Sequence, residues 1–212
     1  MNIQNKAVLI TGANRGIGRA LVNEALSRGA KRVYAGTRGP LSAADARVTP
    51  LTLDVTNAAQ IEQAAGEVDS LDVPINNAGI ALYDDLSDFD VIERHLAVNL
   101  FGSLKMSRVF LPKLKRSHGA MTQSLRALLA GQGVTVHGVF LGPTDTDMTR
   151  GFEIPKASPE AVAQGIFDGL ENKEEDIFPD PASQSIAEGW RTGVAKAFER
   201  QYAGFVPESV AV

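Results

Sequence analysis

The chain has 212 residues, of which 44% are hydrophobic and 22% charged, with a formal net charge of -4 and no cysteine. That apolar content can bury a real core, and the near-balance of charge excludes a disordered acidic tail and a basic nucleic-acid binder. The missing cysteines exclude a disulfide scaffold, a thiolate zinc site and a thiol nucleophile, and they fit a reducing compartment. No apolar run approaches the ~18 residues of a membrane span, and the apolar stretch in Met1–Thr11 is shorter than the ~7–15 residues of a secretory leader. The expectation is a cytoplasmic protein forming one domain over residues 1–212, with no nucleic-acid or membrane partner.

Short β-branched runs alternate with longer helical periods, which predicts an α/β fold with a parallel sheet. Ala7–Ile10 reads as a buried first strand. A helix follows from Ile17, with Leu21, Val22, Ala25 and Leu26 on one face and Gly29 closing it. Arg32–Gly36 is a second strand, Leu51–Val55 a third and Leu71–Asn77 a fourth, while residues 38–48, with Pro40, hold at most a short helix. One long helix is expected from Ser87 to Arg116, capped by Ser87 or Asp88 and stopped by Gly119. A second helical period begins at Met121, carries Leu125, Leu128 and Leu129, and ends at Gly131 and Gly133. Then come a buried strand, Val134–Leu141, and a helix opened by Ser158-Pro159 with Val162, Ile166 and Leu170 inward. A short strand, Ile177–Phe178, and a closing helix, Ala182–Tyr202, complete the order. No repeat or low-complexity linker divides the chain.

The strongest motif is Thr11-Gly12-Ala13-Asn14-Arg15-Gly16-Ile17-Gly18, placed directly after a strand and before a helix. Gly12 permits the tight turn, Gly16 lets the backbone approach a pyrophosphate, and Gly18 lets helix and sheet pack closely. Free N–H groups at the helix start then face the anion. The spacing, Gly-x-x-x-Gly-x-Gly behind a Thr, resembles that of the short-chain dehydrogenase/reductase superfamily. Four further stretches carry the resemblance: Asp54-Val55 after the third strand, Asn76-Asn77-Ala78-Gly79 after the fourth, Val98-Asn99 in the long helix, and Leu141-Gly142-Pro143-Thr144-Asp145-Thr146. The fold it implies is a Rossmann-like doubly wound parallel sheet. The cofactor contacts it implies are Gly12, Asn14, Arg15, Gly16, Ile17 and Gly18, then Asp54 and Val55 at the adenine. Asn77, Ala78 and Gly79 follow, with Gly142, Pro143, Thr144 and Thr146 at the nicotinamide. Leu141 stands where the family usually has Pro, and Pro74 interrupts the fourth strand, where a central strand should keep every N–H in its ladder.

The second strand ends Gly36-Thr37-Arg38, with no carboxylate for a ribose 2′-hydroxyl. Arg38 offers a guanidinium fork suited to a 2′-phosphate, and Arg15 could add a second positive charge. The expected cofactor is NADP(H) and no metal is expected.

The resemblance implies hydride transfer between nicotinamide and an alcohol or carbonyl. A Tyr phenol exchanges the proton, a Lys four residues on favours its anion, a Ser positions the substrate and the helical Asn99 holds a relay water. A phenol with a pKa near ~10 is a poor base at pH 7 without that fixed charge. The sequence lacks the pair: Tyr34 is followed at the fourth position by Arg38, Tyr83 by Ser87 and Tyr202 by Val206. Only Asn99 of the catalytic set carries over. Two helical periods follow each other between Ala120 and Met121 where a central strand should separate them, a shortfall of roughly 30 residues against a usual βαβ unit. A sheet missing that strand is split, or pairs two strands that are not neighbours.

Three outcomes stay open. The segment belongs to a longer form of the chain and carries the chemistry. Or the deletion is genuine and leaves a catalytically dead NADP-binding protein. Or the fold has rearranged into a non-enzymatic binding or assembly module.

The remaining candidates have plain structural readings. His95, His118 and His137 have no metal-ligand spacing. Asp84, Asp85 and Asp88 suit a helix N-terminus, and residues 171–176 a solvated loop. Trp190, Phe198 and Tyr202 suit core or subunit packing, and Met148 and Phe152 an apolar substrate loop within residues 145–156. The family's usual pairing of helices between subunits makes a homodimer or homotetramer the expected assembly, with Leu100, Leu104 and Val109 available for it.

Overall fold

Strand β1 (Ala7–Thr11) is buried along its whole length and is the pivot of the sheet in the computed structural model. The structure describes residues 1–82, 87–114, 126, 133–194, 196–197 and 200. Strand β2 (Arg32–Thr37) pairs parallel with one side of β1 and β4 (Val73–Ile75) with the other, while β3 (Val48–Thr52) lies outside β2. The order is β3-β2-β1-β4.

Side chains alternate along β1, and each face has its own helices. Val8 and Ile10 pack with Leu21 and Val22 of α1 (Gly16–Ser27) and with Ile166 and Phe167 of α5 (Pro159–Glu171). Ala7 and Leu9 pack on the opposite face with Ile61 and Ala64 of α2 (Ala58–Glu67) and with Met106 and Phe110 of α4 (Ser103–Leu114). Both faces are therefore covered, as a parallel sheet requires. Each fully buried Phe or Leu here contributes about 1.5–3 kcal/mol of transfer free energy.

The structure moves several sequence boundaries. β3 begins at Val48 rather than Leu51, so Pro50 falls within it; this edge strand tolerates a residue without an N–H. The helix α2 was not read from the sequence, although Ile61, Ala64 and Ala65 are its buried side and Asn57 caps it by accepting from the Gln60 N–H. β4 is shorter than Leu71–Asn77. The Asp72 N–H donates to the Ala7 carbonyl, so the two-residue repeat of the ladder makes Pro74 the next donor towards β1. The proline removes that one bond.

The long helix is not continuous α-helix. It runs as α3 (Phe89–His95), a π segment (Leu96–Gly102) and α4, with Asn99 inside the π segment. Asp88 caps α3, its carboxylate accepting from the Asp90 N–H. The expected strand over Val134–Leu141 reduces to β5 (Gly138–Val139), paired with β6 (Asp176–Ile177) in a separate two-stranded sheet. Among the described residues no strand pairs with the far edge of β4, which is the split arrangement expected from the shortfall. The Ala120–Met121 junction, the helical period after it, Asp84, Asp85, His118, Phe198 and Tyr202 lie outside the described residues. Helix α6 (Pro181–Thr192) opens the region expected as the closing helix Ala182–Tyr202, and the described residues 194, 196, 197 and 200 are helical after the break at Gly193.

The charge run is not simply a solvated loop. Asp176 is 5% exposed and accepts from Arg126 Nη2 at 3.0 Å, Trp190 Nε1 at 3.0 Å and Lys196 Nζ at 2.8 Å. Trp190 thus packs internally, its ring 4.5 Å from that of Phe140. His137 is buried and its Nδ1–H donates to the Glu174 carbonyl. His95 accepts from the Leu82 N–H on Nε2, so its Nδ1–H donates to the Val91 carbonyl.

Candidate cofactor site

The glycine turn is built from backbone. Gly12 has φ +67, a conformation that side chains disfavour, and an added Cβ on Gly18 would stand 2.0 Å from the Gly12 carbonyl oxygen. The Ala13 N–H donates to the Gly36 carbonyl, which holds the turn against the end of β2. α1 then starts without a side-chain cap and without an acidic residue in its first turn. Its first intrahelical bond is from the Arg19 N–H to the Arg15 carbonyl, so the N–H groups of Gly16, Ile17 and Gly18 precede the ladder. Those N–H groups, with the positive end of the α1 dipole, suit an anion.

Thr11, at the end of β1, ties this turn to the end of β4. Its hydroxyl accepts from the Asn77 N–H at 3.0 Å and the Ala78 N–H at 2.9 Å, and Asn77 Nδ2 donates to the Thr11 carbonyl at 2.9 Å. Asn77 and Ala78 therefore stand beside Gly12. One residue on, Gly79 lies near Asn99, whose side-chain amide makes a two-way clasp with Ile80. Asn99 Oδ1 accepts from the Ile80 N–H and Nδ2 donates to the Ile80 carbonyl, each at 2.9 Å. The π segment turns Asn99 towards this loop, and π bulges of this kind are frequent at functional sites.

At the β2 end, Arg38 is exposed and its charge acts on Asp54. Burial would raise the Asp54 carboxyl, but hydrogen bonds from the Thr56 hydroxyl and N–H, with Arg38, hold it below its ordinary value. Val55 is buried against Gly102 of the π segment. Arg15 points elsewhere: its Nη1 is 3.0 Å from Asp147 Oδ2, so its charge partner lies in the loop after β5.

That loop is pinned by a residue the sequence reading missed. Asp180 is 2% exposed and accepts from the N–H groups of Gly142, Ala182 and Ser183 and from the Ser183 hydroxyl. Burial would raise its carboxyl; the bonds from Gly142 and Ser183 outweigh it and hold the group below the usual carboxylate range. Asp180-Pro181 is the same cap-then-proline signal as Ser158-Pro159, and it was legible in that form. Thr144 is buried, Pro143 accepts from the Ala157 N–H, and Thr146 lies against the glycine turn, its Cγ2 3.2 Å from where a Gly16 Cβ would be. Met148 and Phe152 are 51% and 37% exposed.

The glycine turn and the segments after β2, β3 and β4 thus lie where the strands of the main sheet end at their carboxyl sides, and the loop after β5 meets them at Arg15 and Gly16. This is where doubly wound folds bind nucleotides. The uncapped helix start and the glycines that leave it open suit a dinucleotide diphosphate.

Comparison with known proteins agrees with this architecture. A profile of the short chain dehydrogenase family matches residues 6–121, so the chain belongs to the short chain dehydrogenase family. A short-chain dehydrogenase/reductase of Pestalotiopsis microspora is 35% identical over 122 residues, which is 55% of this chain and 46% of the relative. The 3-oxoacyl-(acyl-carrier-protein) reductase of Escherichia coli (strain K12) is 30% identical over 194 positions, covering 71% of this chain and 78% of the relative. Those 194 positions exceed 71% of a 212-residue chain by several tens, so that relative carries residues with no counterpart here. The chain spans about half or less of the first curated relatives it matches, at 46%, 52%, 29% and 40% of their lengths. Among solved structures, a short chain dehydrogenase from Burkholderia cenocepacia J2315, in complex with NADP, superposes with a TM-score of 0.83. It is 29% identical and covers 98% of this chain and 100% of that one.

Proposed function

We propose that the chain binds NADP(H) in one Rossmann-type domain and that it is the cofactor-holding part of an oxidoreductase. The reaction is hydride transfer between the nicotinamide and an alcohol or carbonyl substrate. The observation that carries the reading is the uncapped start of α1, with the N–H groups of Gly16, Ile17 and Gly18 presented beside Gly12. Gly12, Asn14, Gly16, Ile17 and Gly18 take the pyrophosphate, with Asn77, Ala78 and Gly79 behind them, and Arg15 adds a positive charge to the phosphate site. Arg38 takes the 2′-phosphate and Asp54 and Val55 the adenine. Gly142, Pro143, Thr144 and Thr146 face the nicotinamide, in a segment that Asp180 holds in place. NADP in the Burkholderia cenocepacia relative supports the choice of cofactor.

When bound, the nicotinamide supplies the hydride chemistry, and this chain's residues bind and orient it. Asn99 is the catalytic-set residue present, its amide engaged with Ile80. The Ser and the Tyr–Lys pair belong to a segment that the 212 residues do not carry, so turnover needs a longer form of the chain. The 212-residue protein holds the nucleotide without turning it over. The several tens of relative-only positions in the Escherichia coli alignment favour this reading. The retained parallel sheet, with TM-score 0.83 over 98% of the chain, argues against a rearranged module. Leu100 and Leu104, 53% and 50% exposed, support self-association through that helix face, whereas Val109 packs on its own core.

The test is NADPH consumption against a panel of carbonyl compounds, using protein of verified intact mass. Protein at 22.5 kDa is expected to bind NADPH and consume none. Turnover at that mass overturns the assignment of catalysis to missing residues.

A further inference from the structure

The Arg15–Asp147 contact has a consequence that rests on the NADP(H) reading of the glycine turn. Arg15 is the one side chain of that turn with a fixed positive charge, and it is already engaged. Its Nη1 lies 3.0 Å from Asp147 Oδ2, the two side chains 65% and 47% exposed, and Arg150 bonds the other oxygen of the same carboxylate. Asp147 begins a short 3-10 turn (Asp147–Thr149) that is itself braced. Thr146 and Thr149 form a reciprocal cap, the Thr149 hydroxyl donates to the Thr144 carbonyl at 2.5 Å, and Lys156 Nζ donates to the Thr149 carbonyl at 2.8 Å. Thr146 touches the turn again, beside Gly16. Residues 144–150 and the glycine turn therefore meet at two points, one steric and one ionic.

One guanidinium cannot serve a carboxylate and a phosphate equally. A 2′-phosphate is a monoester with about -1.5 to -2 charge at pH 7 and outcompetes Asp147 for Arg15, whereas each pyrophosphate group carries a single charge and competes through its acceptor oxygens. We propose that Asp147 is the residue that sets the phosphate affinity of this site. It holds Arg15 in the free protein, and a ligand phosphate competes with its carboxylate for Arg15. The shared chemistry is a phosphate group, from either the ribose 2′-position or the pyrophosphate. Because the carboxylate and the phosphate compete for one guanidinium, phosphate binding and the Arg15–Asp147 contact weaken one another by the same factor.

The experiment is a double-mutant cycle read by nucleotide binding, using wild type, Asp147→Asn, Arg15→Ala and the double variant. Each is titrated with NADP+ and NAD+ at low ionic strength, where exposed charge pairs are least screened. Asp147→Asn is expected to tighten binding by about two- to fivefold, the range of an exposed ion pair. In the Arg15→Ala background the same substitution changes nothing. Tightening for NADP+ alone assigns the 2′-phosphate, and tightening for both nucleotides assigns the pyrophosphate. Unchanged or weaker binding by Asp147→Asn overturns the proposal, as does equal tightening without Arg15. If wild type binds neither nucleotide, the NADP(H) reading itself falls, and this inference with it.

Discussion

The four-stranded sheet and the separate β5–β6 pair are held together by different means. Around β1 and β2 the geometry is backbone: Gly12 at φ +67, Gly18 against a carbonyl, and a Thr11 hydroxyl taking two N–H groups from Asn77 and Ala78. Beyond β4 the strands change sheet, and β5 and β6 are fastened by a buried ionic cluster, Asp176 with Arg126, Lys196 and Trp190. Backbone geometry of the first kind presents a ligand site with little to rearrange. A charge cluster of the second kind fixes two short strands and a helix to each other but presents nothing to a ligand. Binding of the nucleotide's phosphates should therefore depend on the first region, and the placing of the segment at the nicotinamide on the second.

Substitutions can break that division. The largest effect on stability is expected from Asp176→Ala, which removes the buried carboxylate of Lys196, 1% exposed, and leaves it Glu175, 55% exposed, at 3.1 Å. Removing one partner of a buried pair costs up to about 3–5 kcal/mol, less where a second carboxylate remains, so the urea midpoint should fall. The fraction that remains folded should bind NADP+ as wild type does. Gly18→Ala inverts the pattern: its Cβ drives into the Gly12 carbonyl, so nucleotide binding is lost in a titration. The stability cost is about 1–3 kcal/mol, typical of overpacking. A Gly18→Ala protein that binds normally would sever the turn from the function.

Arg38→Asp acts within the first region. Losing a charge-assisted phosphate contact of about 1.5–3 kcal/mol should reduce the NADP+ over NAD+ preference by tenfold or more in a binding titration. The smallest effect is a pH dependence, and it belongs to the second region. Burial lowers the His137 pKa, so the folded protein refuses a proton that the unfolded chain takes up. His137 therefore contributes stability that is present above about pH 6.5 and is lost as the pH falls through its depressed folded value. A His137→Gln variant should show a flatter urea midpoint from pH 8 to pH 5. Asp176 and Asp180 are held below the ordinary carboxylate value despite burial, by their hydrogen bonds and, for Asp176, the Lys196 and Arg126 charges. Their contribution is complete above about pH 4 and disappears in stronger acid.

What the sequence made legible follows the same division. The glycine turn was readable because backbone constraints leave a residue-type signature: only Gly suits the Gly12 conformation and the Gly18 contact. The buried runs of β1 and β2 were readable for a related reason, since a strand covered on both faces is uniformly apolar. The helix α2 was overlooked because its buried face is Ile61 with small alanines, a weak period. The π segment around Asn99 has no local signature at all, because the helical residues on either side continue the same pattern. Long-range polar contacts were hidden for a plainer reason. Arg15 and Asp147 are 132 positions apart, and nothing near either residue names the other. Asp180 was missed altogether, although Asp180-Pro181 has the form of a helix cap; nothing local marks it as the group that holds Gly142, 38 positions away. The catalytic gap was visible only as an absence, two helical periods without a strand between them.

The measurement closest to the central claim is calorimetric titration of the mass-verified 212-residue protein with NADP+ and NAD+. A complete cofactor site in this chain predicts saturable binding of one nucleotide per chain, with NADP+ bound at least tenfold more tightly than NAD+. No binding of either nucleotide, or a preference for NAD+, would contradict it.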